Sequence, residues 1–138
     1  MKNLPFLFLL GILFTLSSCS KNNDQENMPE LNQIFQLKIL ETANFTDLNL
    51  AIRADRVVED NRCPANVDCI IAGWVTVLFN VEIEGTSLPV QVTLDPDKPQ
   101  DAEAEVGAYT IRLVTVNPYP QNSDVIAQED YSFSLVIE

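Results

Sequence analysis

Between residues 75 and 94 the chain alternates with a period of two. Val75, Val77, Phe79, Val81 and Ile83 stand against Thr76, Leu78, Asn80, Glu82 and Glu84, and Leu88, Val90, Val92 and Leu94 repeat the pattern on the way back. Successive side chains of a strand point to opposite faces, so this spacing buries one face and leaves the other to solvent, whereas a 3.6-residue helical period would scatter the same residues around the axis. Gly85-Thr86-Ser87 supplies turn chemistry between the two halves, and residues 74–94 are predicted to form a β-hairpin. Pro89 has no backbone N–H, which puts the returning strand at a sheet edge.

The rest of the chain reads the same way. Ile34-Phe35-Gln36-Leu37-Lys38-Ile39 predicts a short first strand, and Leu48, Leu50, Ile52 and Ala54 alternate with Asn49, Ala51, Arg53 and Asp55 in a second. After the loop Asp95-Pro96-Asp97-Lys98-Pro99, Tyr109, Ile111 and Leu113 alternate, as do Tyr131, Phe133, Leu135 and Ile137 at the end. About six strands without a helical pattern imply an all-β fold, a single antiparallel β-sandwich that is immunoglobulin-like in general architecture. Its boundaries are placed at 31–138, a length that buries one core and leaves no room for a second domain.

The N-terminus is of another kind. Lys2 precedes the apolar run Phe6–Phe14, and Leu16-Ser17-Ser18-Cys19 follows, with small residues before the cysteine. The apolar run is shorter than the ~20 residues that a membrane-spanning helix needs. These residues resemble the lipobox of bacterial lipoproteins, which implies a signal peptide over 1–18 and a Cys19 that carries palmitate-type acyl chains. Each buried CH₂ contributes roughly 0.8 kcal/mol, so two or three such chains hold a protein on a membrane almost irreversibly. Ser20 stands where an aspartate would imply retention at the inner membrane, and Lys21-Asn22-Asn23-Asp24-Gln25-Glu26 is similar to a loose surface-export stretch. The resemblance therefore implies the outer membrane, with the domain facing either the periplasm or the cell surface. Residues 19–30 read as a flexible tether behind the lipidated cysteine.

The whole chain carries a formal charge of −12, and removing Lys2 with residues 1–18 makes it −12 − 1 = −13. No basic cluster interrupts the acidity, which argues against a nucleic-acid partner. In the oxidising compartment that the lipobox implies, Cys63 and Cys69 are close enough to join, closing a short loop worth roughly 2 kcal/mol on the chain-entropy estimate. The Cys-x5-Cys spacing is not that of a redox-active pair, and two thiolates without histidine leave zinc half-coordinated.

The segment Glu59-Asp60-Asn61-Arg62-Cys63-Pro64-Ala65-Asn66-Val67-Asp68-Cys69-Ile70-Ile71-Ala72-Gly73 carries the most specific pattern. It resembles the Asp-x-Arg-Cys-Pro-x4-Cys-x2-Ala-Gly motif of a family of small secreted or lipid-anchored bacterial proteins, and Asn117-Pro118-Tyr119-Pro120 and Asp130-Tyr131 fall where that family has a Pro-x-Pro loop and a closing strand. Where family members carry Trp before Ala-Gly this chain has Ile71, and Trp74 follows Gly73. The resemblance brings no activity with it. Physically, the segment is a stapled corner between strands: Pro64 fixes φ, Gly73 permits a positive φ or a close approach, and Asp60 and Arg62, two apart, are placed to pair with each other or to bond exposed loop carbonyls. Rigid loops on a sandwich are where binding residues commonly sit. The candidate contact residues are Asp60, Arg62, Pro64, Asn66 and Tyr119, the last flanked by two prolines.

Catalytic chemistry finds little footing. The chain has no histidine, which removes the commonest general base and the usual triads. Ser20, Ser87, Ser123, Ser132 and Ser134 have no nucleophile-elbow context, and the carboxylates lack a distinctive pairing. Asp95, Asp97, Asp101, Glu103 and Glu105 crowd what reads as one loop; oxygen ligands suit calcium, but the glycine of an EF-hand loop is absent and the stretch reads as a solvated connection. No cofactor or metal is expected. The chain is expected to be a non-enzymatic, membrane-anchored binding protein of the cell envelope whose partner is an envelope protein or a glycan. The alternatives are a structural accessory of an envelope complex and a secreted-peptidase inhibitor that uses the stapled loop as a rigid insert.

Overall fold

A computed structural model describes residues 29–138. The expected signal peptide, Cys19 and almost all of the expected tether lie outside the described residues. Eight strands form two four-stranded antiparallel sheets packed face to face: β1 (Phe35–Lys38), β2 (Thr42–Phe45), β3 (Leu50–Asp60), β4 (Val75–Ile83), β5 (Thr86–Leu94), β6 (Glu103–Val106), β7 (Tyr109–Asn117) and β8 (Ser132–Ile137). One sheet has the order β1-β8-β7-β6 and the other β2-β3-β4-β5. The chain thus changes sheet twice, between β1 and β2 and between β5 and β6, and the first and last strands close one sheet by pairing Phe35 with Leu135 and Leu37 with Phe133. No helix among the described residues is long and apolar enough to cross a membrane.

The hairpin is where the alternation puts it, with Ile83 paired to Thr86 and Val75 to Leu94. Its two-residue turn lies one position earlier than the sequence suggests. Glu84 (φ 50) and Gly85 (φ 78) both take positive φ, as the tight hairpin turn that matches strand twist demands. β5 is an edge strand, and Pro89 therefore has no outer neighbour to which it owes an N–H.

Two strands are additions to the sequence reading. Thr42–Phe45 forms β2 along β3, and Glu103–Val106 forms β6 along β7. The second addition corrects the expectation of a single acidic loop over 95–105. Ala104 and Val106 turn inward while Glu103 and Glu105 face solvent, and Glu103 forms an ion pair with Arg112 on β7. Asp95 is buried, accepting from the Asp97 backbone N–H at 2.9 Å. The five acids are consequently spread over a turn, a short 3₁₀ segment and a strand, and among the described residues no three Asp, Glu or Cys are arranged to hold a metal ion.

Core residues come from both inner faces. Ile52, Val77, Phe79 and Val81 of one sheet meet Ile111, Leu113, Phe133 and Leu135 of the other, all essentially without exposure. Phe79 and Phe133 bridge the layers edge to face, with centroids 5.7 Å apart and planes at 79°. Phe35 and Phe45 repeat the arrangement at the open side, at 5.5 Å and 77°. Such pairs contribute about 0.5–1.5 kcal/mol beyond their area burial. Phe79→Ala is expected to lower the unfolding free energy by about 3–5 kcal/mol, read as a lower urea midpoint with an unchanged slope.

Candidate functional site: the stapled end of the sandwich

Residues 61–74 leave the sandwich between β3 and β4 as an arm. Its base continues their pairing beyond Asp60↔Val75, since the Asn61 N–H donates to the Trp74 carbonyl and the Cys63 N–H to that of Ala72, each at 2.8 Å. Gly73 makes this close approach possible. Its φ is +75, and a Cβ built there would lie 1.9 Å from the Asn61 carbonyl oxygen, so any other residue would push the two legs of the arm apart. A Cys63–Cys69 disulfide, with Cα atoms 6.0 Å apart, ties the paired base of the arm to its outer part.

Arg62 ties the arm to the opposite sheet. Its Nε and Nη2 donate to the two Asp60 carboxylate oxygens at 2.8 and 2.6 Å, its Nη1 to the Val116 carbonyl at 2.6 Å and its Nη2 also to the Pro118 carbonyl at 2.9 Å. The pair therefore makes both of the contacts open to it, although the carbonyls belong to the end of β7 and the loop beyond it, not to the cysteine loop. The Tyr131 hydroxyl donates to Asp60 Oδ2 at 3.0 Å. The Arg62 and Asp60 side chains are only 7 % and 11 % exposed, which makes them scaffold and leaves the outer surface to other residues.

Tyr119 is the second rivet. It follows the cis Asn117–Pro118 peptide, donates its hydroxyl to the Cys63 carbonyl at 2.8 Å and lies beneath the Arg62 guanidinium, 5.2 Å from ring centroid to Cζ. The Ala65 N–H donates to the Pro120 carbonyl at 2.9 Å. Farther along this loop, Gln128 presents its amide to β3 as another strand would: Oε1 accepts from the Val57 N–H and Nε2 donates to the Val57 carbonyl, each at 2.9 Å. These bonds fall where the β3–β4 register shifts, between Val57 and Glu59. Nothing about an isolated glutamine in the sequence marks it for this role.

Pro64 is half-buried, whereas Asn66 is exposed and Tyr119 keeps part of its ring in solvent. The open surface here is mostly aliphatic. Ile70 at the apex is as accessible as an isolated residue (104 %) and Val125 on the facing loop nearly so (96 %), with Val67, Ile71 and Val58 also exposed. A shallow groove of about 310 Å³ runs between β3 and the facing loop, lined by Val58, Pro64, Pro120, Val125 and Ile126 among others. The sequence signal for this surface was available: three β-branched aliphatic residues, Val67, Ile70 and Ile71, in or beside a cysteine-closed loop of an otherwise acidic chain.

Electrostatically the end is acidic and its one ion pair is closed. Burial raises the Asp60 carboxyl pKa most strongly of any single influence, but the hydrogen bonds and charge of Arg62, with the Tyr131 hydroxyl, together outweigh it and hold the group below its ordinary 3.8. Burial first, and then the bond to the Asp60 carboxylate and its charge, push the Tyr131 hydroxyl up to about 12. Comparison with models of protein families, with curated proteins and with solved structures finds no match to this chain.

A carboxyl with a depressed folded-state pKa contributes stability above its unfolded pKa and loses it as pH falls through the folded value; the raised tyrosine contributes fully below pH 10 and loses its part as pH rises through about 12. Asp60→Asn, which strands the Arg62 charge, is expected to lower stability at pH 7 by on the order of 3 kcal/mol and to flatten the acid limb below pH 3.8, both visible in thermal unfolding across pH. Gly73→Ala is expected to cost about 2 kcal/mol or more and to raise hydrogen exchange at the Asn61 and Cys63 amides ahead of the core.

Proposed function

We propose that this chain is a lipid-anchored protein of the bacterial outer membrane whose sandwich is a non-enzymatic binding module, and that the stapled end is the surface with which it meets a partner in the envelope, a protein or a glycan. The anchoring half of the proposal rests on the likeness of Leu16-Ser17-Ser18-Cys19 to a lipobox. The binding half is supported chiefly by one observation. Of nine large apolar side chains that are exposed among the described residues, six (Val58, Val67, Ile70, Ile71, Tyr119 and Val125) belong to the arm, the facing loop or the adjoining end of β3.

Single exposed apolar residues are ordinary, but contiguous ones at a rigid element mark interaction sites. Rigidity matters because a loop already held in its bound form loses little entropy on association. Here a disulfide, a glycine crossing and the two rivets at Arg62 and Tyr119 supply it. The ion pair that looked like a contact in the sequence is part of this support, and Asn66, Tyr119 and the aliphatic residues of the apex form the contact face.

In-cell cross-linking of the intact protein followed by mass spectrometry tests the reading, with Ile70→Asp and Val125→Asp beside the wild type. Both substitutions lie on open surface and are expected to leave stability within about 0.5 kcal/mol while abolishing capture of the partner. Unchanged capture in both variants would move the interface off the stapled end. Cys19→Ser is expected to shift the protein from the membrane fraction to the soluble one and to end metabolic labelling with a palmitate analogue.

A further inference from the structure

The apex of the arm offers side chain and main chain together. No hydrogen bond within the described residues engages the peptide groups of Asp68, Cys69, Ile70 and Ile71, whereas the legs below are bonded at Asn61, Cys63 and Ala65. A stretch with unpaired peptide groups, clamped at its base and carrying a fully exposed β-branched side chain, suits a partner that reads backbone by hydrogen bonds and inserts one side chain into a pocket. A peptidase cleft does both.

Charge narrows the class. Residues 61–74 and 117–131 contain Asp68, Asp124, Glu129 and Asp130, and their one cation, Arg62, is neutralised by Asp60. An anionic lipid surface is repelled by such a rim, since interfacial binding draws on Lys and Arg. A second copy of the same end meets like charge. A cationic protein is attracted, on a background of −12 over the whole chain.

Resting on the reading of this end as a binding surface, we propose that the stapled arm occupies the substrate cleft of a cationic, elastase-class serine peptidase, with Ile70 in the aliphatic primary pocket and the peptide groups of 68–71 against the cleft backbone. The block is non-covalent and reversible. The disulfide and the Tyr119 and Arg62 rivets keep the arm from relaxing along the cleft as a flexible substrate would.

The test uses the detergent-solubilised full chain with neutrophil elastase, a cationic enzyme with an aliphatic pocket, and with trypsin, whose pocket ends in a carboxylate. The intact chain is expected to inhibit elastase and to spare trypsin, with an association rate that falls steeply as salt rises. Ile70→Asp is expected to weaken inhibition by about 10- to 150-fold, the change that corresponds to burying one large aliphatic side chain; Ile70→Lys is expected to transfer inhibition to trypsin. Reduction of Cys63–Cys69 is expected to turn the arm into a cut substrate. Absence of elastase inhibition, cleavage of the oxidised arm at a substrate-like rate, or inhibition indifferent to Ile70 each overturns the proposal. Thermal midpoints equal to wild type verify that the variants are folded, and Ile70→Ala carries the same test should a charged variant fail to fold. If elastase is untouched while cross-linked capture in cells still depends on Ile70, the peptidase assignment fails and the binding surface stands.

Discussion

The guanidinium of Arg62 is the contact on which the stapled end depends, because it binds at once the end of β3, the end of β7 and the loop beyond it. Asp60 ends β3 in one sheet, Val116 and Pro118 belong to the end of β7 and the loop after it in the other, and Tyr131 leads into β8. Removing a cation and a carboxylate from water costs several kcal/mol per ion. The cost is offset here because the carboxylate is gripped by two guanidinium nitrogens, a further guanidinium hydrogen bond goes to each of two carbonyls, and a phenol satisfies one of the same carboxylate oxygens. Lysine, with a point charge and no planar fork, could not make that set. The ion pair therefore acts less as a stabiliser of the domain than as the device that fixes where the arm sits.

From that fixed point the geometry of the arm follows from few residues. Gly73 lets the returning leg pass against Asn61, the cysteine bridge shortens the loop above it, and Tyr119 fastens the Cys63 carbonyl from the other side. Each acts on the backbone, so the side chains at the apex are left without structural duties. Ile70 is left fully exposed and Ile71 mostly so. The same loop chemistry that stiffens the arm is what forces its aliphatic residues into water.

The long hairpin was legible in the sequence because nine-residue strands carry enough alternation to exclude a helix, and Pro89 named the edge. The four-residue strands β2 and β6 were not. Glu103 and Glu105 hid the second among other acids, since an exposed strand face and a solvated loop have the same composition. At the site, the motif located the corner and the Asp60–Arg62 spacing suggested a pair, but the carbonyls that Arg62 binds lie 54 and 56 residues onward, beyond any local pattern. Spacing could not reveal that this pair would be buried by the loop it organises. Val67, Ile70 and Ile71 have the composition of ordinary strand residues, and only the fold shows that they stand exposed, Ile70 fully so.

On the proposed binding role, an acidic body with an aliphatic tip divides recognition into two ranges. Charge acts over about 8–10 Å at physiological salt and sets which surfaces approach, whereas the tip acts at contact and sets which of them hold. The division requires that the local ion pair not blur the field, and Asp60 meets that requirement by holding the charge of Arg62 at the base of the arm, so that the rim presents Asp68 and Asp124 without a competing cation in either loop. The interaction that positions the arm thus also sets the sign of the field around it. Disrupting the ion pair would therefore change the stapled end in two ways at once, by loosening the arm and by changing the charge at its base. An uncharged substitution at Ile70 leaves both untouched, which is why that position, and not the motif, is the place to separate the proposed recognition from folding.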